Sequence, residues 1–339
     1  MVKPHEVLCR SPAGLYCPPG DFYIDPVRPV KRAVITHGHS DHARMGHESV
    51  LATAETLAIM AARMGEGFSG ATQALRYGEV VARDGVEVSL HPAGHILGSA
   101  QVKVRARGLC VAVSGDYKRR RDPTCAAFEP QRCDVFVTEA TFGIPVFNFP
   151  DDGGEAARLL KSVAQFPERS HLVGAYALGK AQRLILLLRE AGYHETIFVH
   201  GAVEAMNALY GRFGIDLGPL APATVDKAKR GDFAGAIVVA PPSAIDDRWS
   251  RRFADPLPAF ASGWMRVRAR ARQRQVELPL VISDHADWNE LTATIREVEA
   301  DEIWITHGNE EALLRWCALG GQKARALSLV GYDADEGEG

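Results

Sequence analysis

Between Thr36 and His42 the chain reads Thr-His-Gly-His-Ser-Asp-His, directly after the apolar run Ala33-Val34-Ile35. The run places four metal-capable side chains, His37, His39, Asp41 and His42, at the exit of an expected buried strand. Packing alone accounts poorly for them, because uncompensated buried charge is costly. Imidazole nitrogens with a carboxylate suit zinc or manganese, and a cluster this dense can serve two ions. The remaining ligands must come from elsewhere in the chain. This favours a layered α/β protein, in which chemistry gathers at the C-terminal ends of strands.

The rest of the sequence repeats that arrangement. Asp21 to Pro26 reads as a strand with Asp25 at its exit, a position where an aspartate also commonly starts a turn. A helix is expected over about Glu55 to Met64. His95 lies in the loop Pro92-Ala93-Gly94-His95-Ile96-Leu97-Gly98-Ser99, where flanking glycines allow a side chain to be aimed at a site. A hairpin over Gln101 to Arg107 and Leu109 to Val113 ends in Ser114-Gly115-Asp116-Tyr117, and the strand Asp134 to Thr138 ends in Glu139. From about Pro150 the texture becomes that of a parallel α/β unit. Helical stretches at Glu155 to Gln165 and Ala181 to Ala191 alternate with strands at His171 to Gly174, Thr196 to Val199 and Ala236 to Ala240. Strand-then-ligand order resumes with Leu278 to Ile282 before Ser283-Asp284-His285-Ala286-Asp287, and Glu302 to Ile305 before Thr306-His307-Gly308-Asn309. The economical topology is one domain (residues 1–149 and 276–332) interrupted by a second (150–275), with an acidic tail over 333–339.

Composition removes several classes. At 46% hydrophobic and 24% charged residues the 339-residue chain is ordinary globular protein. No apolar run approaches the roughly 18–20 residues of a membrane span, and no signal peptide is evident, so a cytoplasmic location is expected. Six cysteines without C-x-x-C spacing point to reduced thiols rather than a disulfide framework or zinc knuckle. The net charge of −3 does not advertise a nucleic-acid binder, so a polyanionic substrate would need local positive charge. Arg266, Arg268, Arg270, Arg272 and Arg274 would all face one side if their segment were extended, giving a phosphate-tracking stripe. Lys118-Arg119-Arg120-Arg121, just after Asp116, and Lys180, at an apparent helix start, are further candidate phosphate contacts. For each of these the alternative is a solvated basic surface.

Taken together, His37-x-His39-x-Asp41-His42, His95, Asp116 and the late histidines resemble the metallo-β-lactamase superfamily. The segments Thr138-Glu139-Ala140-Thr141-Phe142-Gly143, Ala175 to Gln182, Ser283 to Asp287 and Thr306 to Asn309 narrow the resemblance to its β-CASP branch, whose members are nucleases. Within the branch, the bacterial ligase-associated DNA exonucleases are most similar. The resemblance implies an α/β fold: a metallo-β-lactamase αββα sandwich carrying an inserted β-CASP α/β domain. It implies one metal on His37, His39 and His95, another on Asp41, His42 and His307, and Asp116 bridging the two. It makes His285 the general acid, oriented by Glu139, and gives Asp25 the task of fixing a ligand histidine. Two ions (Zn²⁺ and/or Mn²⁺) about 3.5–4 Å apart can acidify a shared water and stabilise both oxygens of an in-line phosphoryl displacement. Nucleic acid is the implied substrate, DNA favoured over RNA, with a DNA ligase and a helicase as implied partners. Asp284 departs from the RNA-processing relatives, which carry a small residue before the histidine. It is expected either to perturb His285 or to face solvent. The rivals are a ribonuclease of the same branch, a thioester or lactam hydrolase, and a catalytically silent nucleic-acid-binding paralogue.

Overall fold

In the computed structural model, residues 2–224, 233–327 and 329 are described, and the counts below refer to them. The expected acidic tail, 333–339, lies outside the described residues. The chain forms two compact units. Among the described residues, one contains 2–148, 285–327 and 329, and the other contains 149–224 and 233–284.

The first unit begins with β1 (Cys9–Ser11), β2 (Gly14–Cys17), β3 (Phe22–Ile24), β4 (Arg32–Val34) and β5 (His47–Ala52), followed by α1 (Ala54–Met64) and β6 (Ser69–Ala74). These strands form a sheet in sequential order, parallel from β3 to β6. α1 starts where Thr53 accepts a hydrogen bond from the Thr56 amide, an N-cap that satisfies one of the orphan donors of the first turn. Next come β7 (Val80–Arg83), β8 (Val86–Pro92), β9 (Ala100–Ala106), β10 (Leu109–Val113) and β11 (Val135–Ala140). β8 alternates buried Val86, Val88 and Leu90 with less buried neighbours, as a strand with one face on the core must. All six residues of β11 are buried, so it is a central strand covered on both faces.

The second unit contains α2 (Asp152–Gln165), β12 (Ser170–Gly174), α3 (Lys180–Glu190), β13 (Ile197–Val199), α4 (Gly201–Arg212), β14 (Leu220–Pro222), β15 (Ile237–Ala240), α5 (Pro242–Asp246), β16 (Pro256–Ala261), α6 (Arg268–Gln273) and β17 (Leu278–Leu280). Its described strands form a wholly parallel sheet ordered β14-β13-β15-β12-β16-β17. Because β16 pairs with β17, this sheet continues past residue 275. The arginine-rich segment is not extended. Gly263–Arg266 is a 3₁₀ turn and Arg268–Gln273 is helical. Residues two apart on an α-helix differ by about 200° around the axis, so Arg266, Arg268 and Arg270 do not form the single-faced stripe expected from a strand.

The chain then returns to the first unit with α7 (Trp288–Glu297), β18 (Glu302–Gly308), α8 (Glu310–Leu319) and β19 (Lys323–Ala326). The second sheet of this unit runs β19-β18-β11-β10-β9-β8-β7, with β10, β11, β18 and β19 parallel. Leu15, Ile24 and Val34 of the first sheet share one buried cluster with Val102, Val111, Val137 and Trp304 of the second, so the sheets pack face to face. α7 and α8 cover the far side of the second sheet through Leu291, Ile295 and Leu313 against Phe136 and Ile303. Met60 of α1 covers the first sheet through Ala33, Val50 and Ala52. Full burial of each large aliphatic side chain here contributes about 1.5–3 kcal/mol. This is the metallo-β-lactamase αββα sandwich, with the second unit entering between β11 and α7. The packing brings the C-terminal ends of β3, β4, β10, β11 and β18 to one end of the sandwich.

Candidate metal centre

Asp25 follows β3 with φ +44°, a left-handed conformation uncommon outside glycine and asparagine-like residues. The turn buries its carboxylate, which accepts the Thr36 amide at 2.8 Å and the Thr36 hydroxyl at 2.6 Å and meets His42 Nδ1 at 2.8 Å. Three such bonds offset the cost of burying the charge. The Thr36 hydroxyl donates to Asp25, so the proton between Thr36 Oγ1 and His37 Nδ1, 3.0 Å apart, belongs to the imidazole. One carboxylate and one hydroxyl thereby fix the rings of both His37 and His42 through Nδ1, and leave Nε2 of His37 as a lone-pair nitrogen. Thr36 has no role in the sequence-level assignment. The signal available was its place between the strand and the first ligand candidate.

Both Nε2 atoms approach Asp116 Oδ2, at 3.5 Å for His37 and 3.4 Å for His42. Asp116 follows β10 through Gly115 (φ +57°), where a Cβ would stand 2.8 Å from Thr36 Cβ, so only glycine allows the close approach. His95 Nε2 is 3.8 Å from the same Asp116 oxygen and 3.0 Å from His39 Nδ1. His307 comes from an irregularity. In the pairing of β11 with β18, Thr306 faces Glu139 and Gly308 faces Ala140, leaving His307 as the extra residue of a bulge with φ +55°. Bulges re-aim side chains, and backbone strain of this kind gathers at functional sites.

Two donor groups result, each with its ligand atoms within 4.8 Å of one another: His37, His39, His95 and Asp116, and His42, Asp116 and His307. Asp116 belongs to both. Asp41 stands outside these groups, its Oδ2 3.7 Å from His42 Nε2.

The electrostatics suit cation ligands. Burial, reinforced by neighbouring His42, holds His37 well below the usual histidine range, and burial with the His42 charge takes His307 down to about 4. Both are neutral lone-pair donors at pH 7. Burial opposes charge on His42, but Asp116 and Asp41 outweigh it and raise this imidazole well above its ordinary value. Burial likewise opposes ionisation of Asp116, and the charges on His42 and His285 overcome it, holding the carboxyl well below its usual range. His37 Nε2 is buried with no hydrogen-bond partner, an arrangement that costs about 1–3 kcal/mol unless something else meets the lone pair. A divalent cation would meet it, and the donor set fits zinc or manganese.

A third group joins Asp116 to Glu139 and His285. His285 Nδ1 lies 2.8 Å from Glu139 Oε2, and its ring centroid is 4.7 Å from that of His95. The Tyr117 amide (2.7 Å) and the Thr141 hydroxyl (2.6 Å) also donate to Glu139. Burial and nearby Asp116 push the Glu139 carboxyl up, against the pull of His285.

Lys118 is buried, and Arg119 makes paired hydrogen bonds to Glu297 at 2.8 and 2.9 Å. In the second unit, Lys180 is the first residue of α3, buried, with its Nζ 2.8 Å from Asp284. Asp284 therefore does not face solvent. Arg270 lies 3.8 Å over the Trp264 ring, and Arg266 and Arg268 are exposed.

No family model matches the chain. It is 28% identical to a probable DNA ligase of Opitutus terrae over 87% of this chain but only 28% of that protein. Over about a third of its length it is 40% identical to the endoribonuclease ysh1 of Emericella nidulans and 35% identical to the cleavage and polyadenylation specificity factor subunit 3 of Dictyostelium discoideum, covering 13% and 15% of those proteins. The chain thus spans under a third of the length of each of these curated relatives. Among solved structures, an Enterococcus faecalis protein of unknown function shares the fold at a TM-score of 0.58 and 15% identity, over 88% of this chain and 79% of that one. No helix among the described residues is long and apolar enough to cross a membrane. The curated likenesses are thus to a probable DNA ligase over most of the chain and to an endoribonuclease over a third of it, while the solved structure shares the fold alone.

Proposed function

We propose that this chain is a metal-dependent phosphodiesterase, a DNA exonuclease that trims ends during repair. The observation that carries the reading is Asp116 standing within reach of two histidine groups on one side and of the His285–Glu139 pair on the other. His37, His39, His95 and Asp116 would hold one ion; His42, Asp116 and His307, with Asp41 beside them, the other. Bound divalent ions would polarise the phosphoryl oxygens and lower the barrier to attack by water. The protein's own contribution begins with Asp25 and Thr36, which fix the His42 and His37 rings so that no reorganisation is needed when charge develops. Glu139 accepts a hydrogen bond from His285 Nδ1–H and orients the ring, so that Nε2 can carry a proton to the departing sugar oxygen. General acid catalysis of this kind contributes about 10²–10⁴-fold.

The likeness to a probable DNA ligase over most of the chain supports DNA-end processing alongside a ligase. A second reading, a ribonuclease of the same branch, is favoured by the likeness to endoribonuclease ysh1 over a third of the chain. Product mapping on matched DNA and RNA oligonucleotides labelled at the 5′ or the 3′ end, with Zn²⁺ or Mn²⁺ and verified metal content, separates the two. Stepwise shortening of DNA is the expected result. Internal cuts in RNA alone would transfer the assignment to the second reading, and intact DNA and RNA with full metal occupancy would remove both.

A further inference from the structure

The segment that follows Asp116 ties the parts of the candidate site to one another. Its Tyr117 amide donates to Glu139, and its Tyr117 carbonyl accepts the Ala286 amide, next to His285, at 2.6 Å. The Lys118 amide donates to the Ala93 carbonyl at 3.0 Å, at the base of the His95 loop. Arg120 then grips the start of α7. Its guanidinium hydrogen-bonds Asp287, its amide donates to Glu290 Oε1 at 3.0 Å, and its Nε lies 3.4 Å from the same oxygen. Asp287 and Glu290 are themselves the reciprocal cap of α7: the Glu290 amide donates to Asp287 Oδ1 at 3.0 Å and the Asp287 amide to Glu290 Oε2 at 3.1 Å. The Asp287 side chain is 2% exposed and that of Arg120 27%, so this pair is screened far less than a surface ion pair.

We infer that Arg120 is a positioning residue for His285. Through Asp287 and Glu290 it locks the segment that carries the candidate acid to the segment that carries Asp116, so that the His285 imidazole and the Asp116 carboxylate keep one fixed separation. Glu139 alone fixes one ring nitrogen. The Arg120 clamp fixes the backbone two residues further on, and two anchors define a ring position that one does not. Displacement of a reacting group by about 1 Å can cost on the order of 100-fold in rate. The inference rests on the phosphodiesterase reading only in taking His285 as the acid.

The test compares wild type with Arg120→Met and Arg120→Lys on two substrates: a DNA oligonucleotide, whose sugar oxygen must be protonated to leave, and the 4-nitrophenyl ester of thymidine 5′-monophosphate, whose phenolate leaves without a proton. Arg120→Met should lower DNA cleavage by about 100-fold, with ester hydrolysis and metal content close to wild type, and Arg120→Lys should recover part of the loss. In a His285→Ala background, Arg120→Met should change DNA cleavage by less than about twofold, because both changes remove the same contribution. Equal losses on both substrates, loss of metal, or a full further loss in the His285→Ala background would overturn the inference. A readout independent of turnover accompanies these: the His285 Nδ1 proton in nitrogen-15 histidine-labelled protein, expected to be visible in wild type and lost to exchange in Arg120→Met. If wild type cleaves neither substrate but this proton is lost in the variant, the clamp stands and the phosphodiesterase reading falls. If wild type is active and both proton and rate survive Arg120→Met, the clamp falls alone.

Discussion

Two dense polar runs leave buried strands at the same end of the sandwich, and they come to opposite uses. Thr36 to His42 follows β4, and Tyr117 to Arg121 follows β10. In the first, imidazoles pack ring to ring, with centroids 4.2 Å apart for His37 and His42 and 4.9 Å for His37 and His39, and buried His37 Nε2 has no hydrogen-bond partner. In the second, Arg119 meets Glu297, and Arg120 meets Asp287 and Glu290. The density of ionisable side chains in sequence is similar in the two runs. The difference lies in what the rest of the protein supplies opposite each side chain: a set of further lone pairs in one case, carboxylates in the other. Lone pairs facing lone pairs need a cation from outside, whereas a guanidinium facing a carboxylate is already satisfied and serves as a fastener.

The sharpest way to break this contrast is at Asp116, which among the described residues is the carboxylate within reach of both histidine groups. Asp116→Ala should strip bound metal and reduce nuclease turnover to the level of buffer, with metal per chain measured by mass spectrometry. Retention of both ions would show that the lone-pair cluster does not depend on its bridge. His285→Ala should come next, lowering DNA cleavage by about 10²–10⁴-fold while metal content stays at the wild-type value. A near-wild-type rate would remove His285 from the proton chemistry and leave Glu139 and the Arg120 clamp without a catalytic purpose.

The parts of this molecule that were legible in sequence share one physical cause. Strand periodicity and strand-end position survive in one dimension, so Asp25, His37 to His42, Asp116 and Glu139 could be nominated from their places after apolar runs, and so could the α/β layering. Features that depend on three-dimensional pairing could not. That His307 is the spare residue of a bulge follows from its register against Glu139 and Ala140, and the partnership of Arg120 with Asp287 joins segments on either side of a whole unit. The arginine-rich segment misled in a different way. Its alternation has the period of a strand, but Ala and Arg are among the best helix formers and few β-branched residues accompany them, so local propensity selects α6.

A smaller effect is expected at Thr36. Thr36→Val keeps the shape but removes the hydroxyl that links Asp25 to His37, so metal affinity should fall by about 10–100-fold, read by titration with a competing chelator. Thr36→Ser should retain the wild-type affinity. Equal affinity in all three proteins would mean that the His37 ring is held by packing alone and needs no relay from Asp25.

The smallest effect tests the other half of the contrast. The Arg119–Glu297 pair is half open to solvent on the Glu297 side, with side-chain exposures of 23% and 45%. Exposed ion pairs of this kind contribute at most about 1 kcal/mol, because water screens the attraction and ordering two long side chains costs entropy. Arg119→Ala should therefore change unfolding free energy by no more than about 1 kcal/mol and leave the KM for DNA where it was at every salt concentration. A substrate contact would behave differently: removing one phosphate-binding cation weakens binding and flattens its salt dependence by close to one counterion. A raised KM with a shallower salt slope would mean that Arg119 exchanges Glu297 for phosphate when DNA arrives, and that the second run, for all its internal partners, also grips substrate.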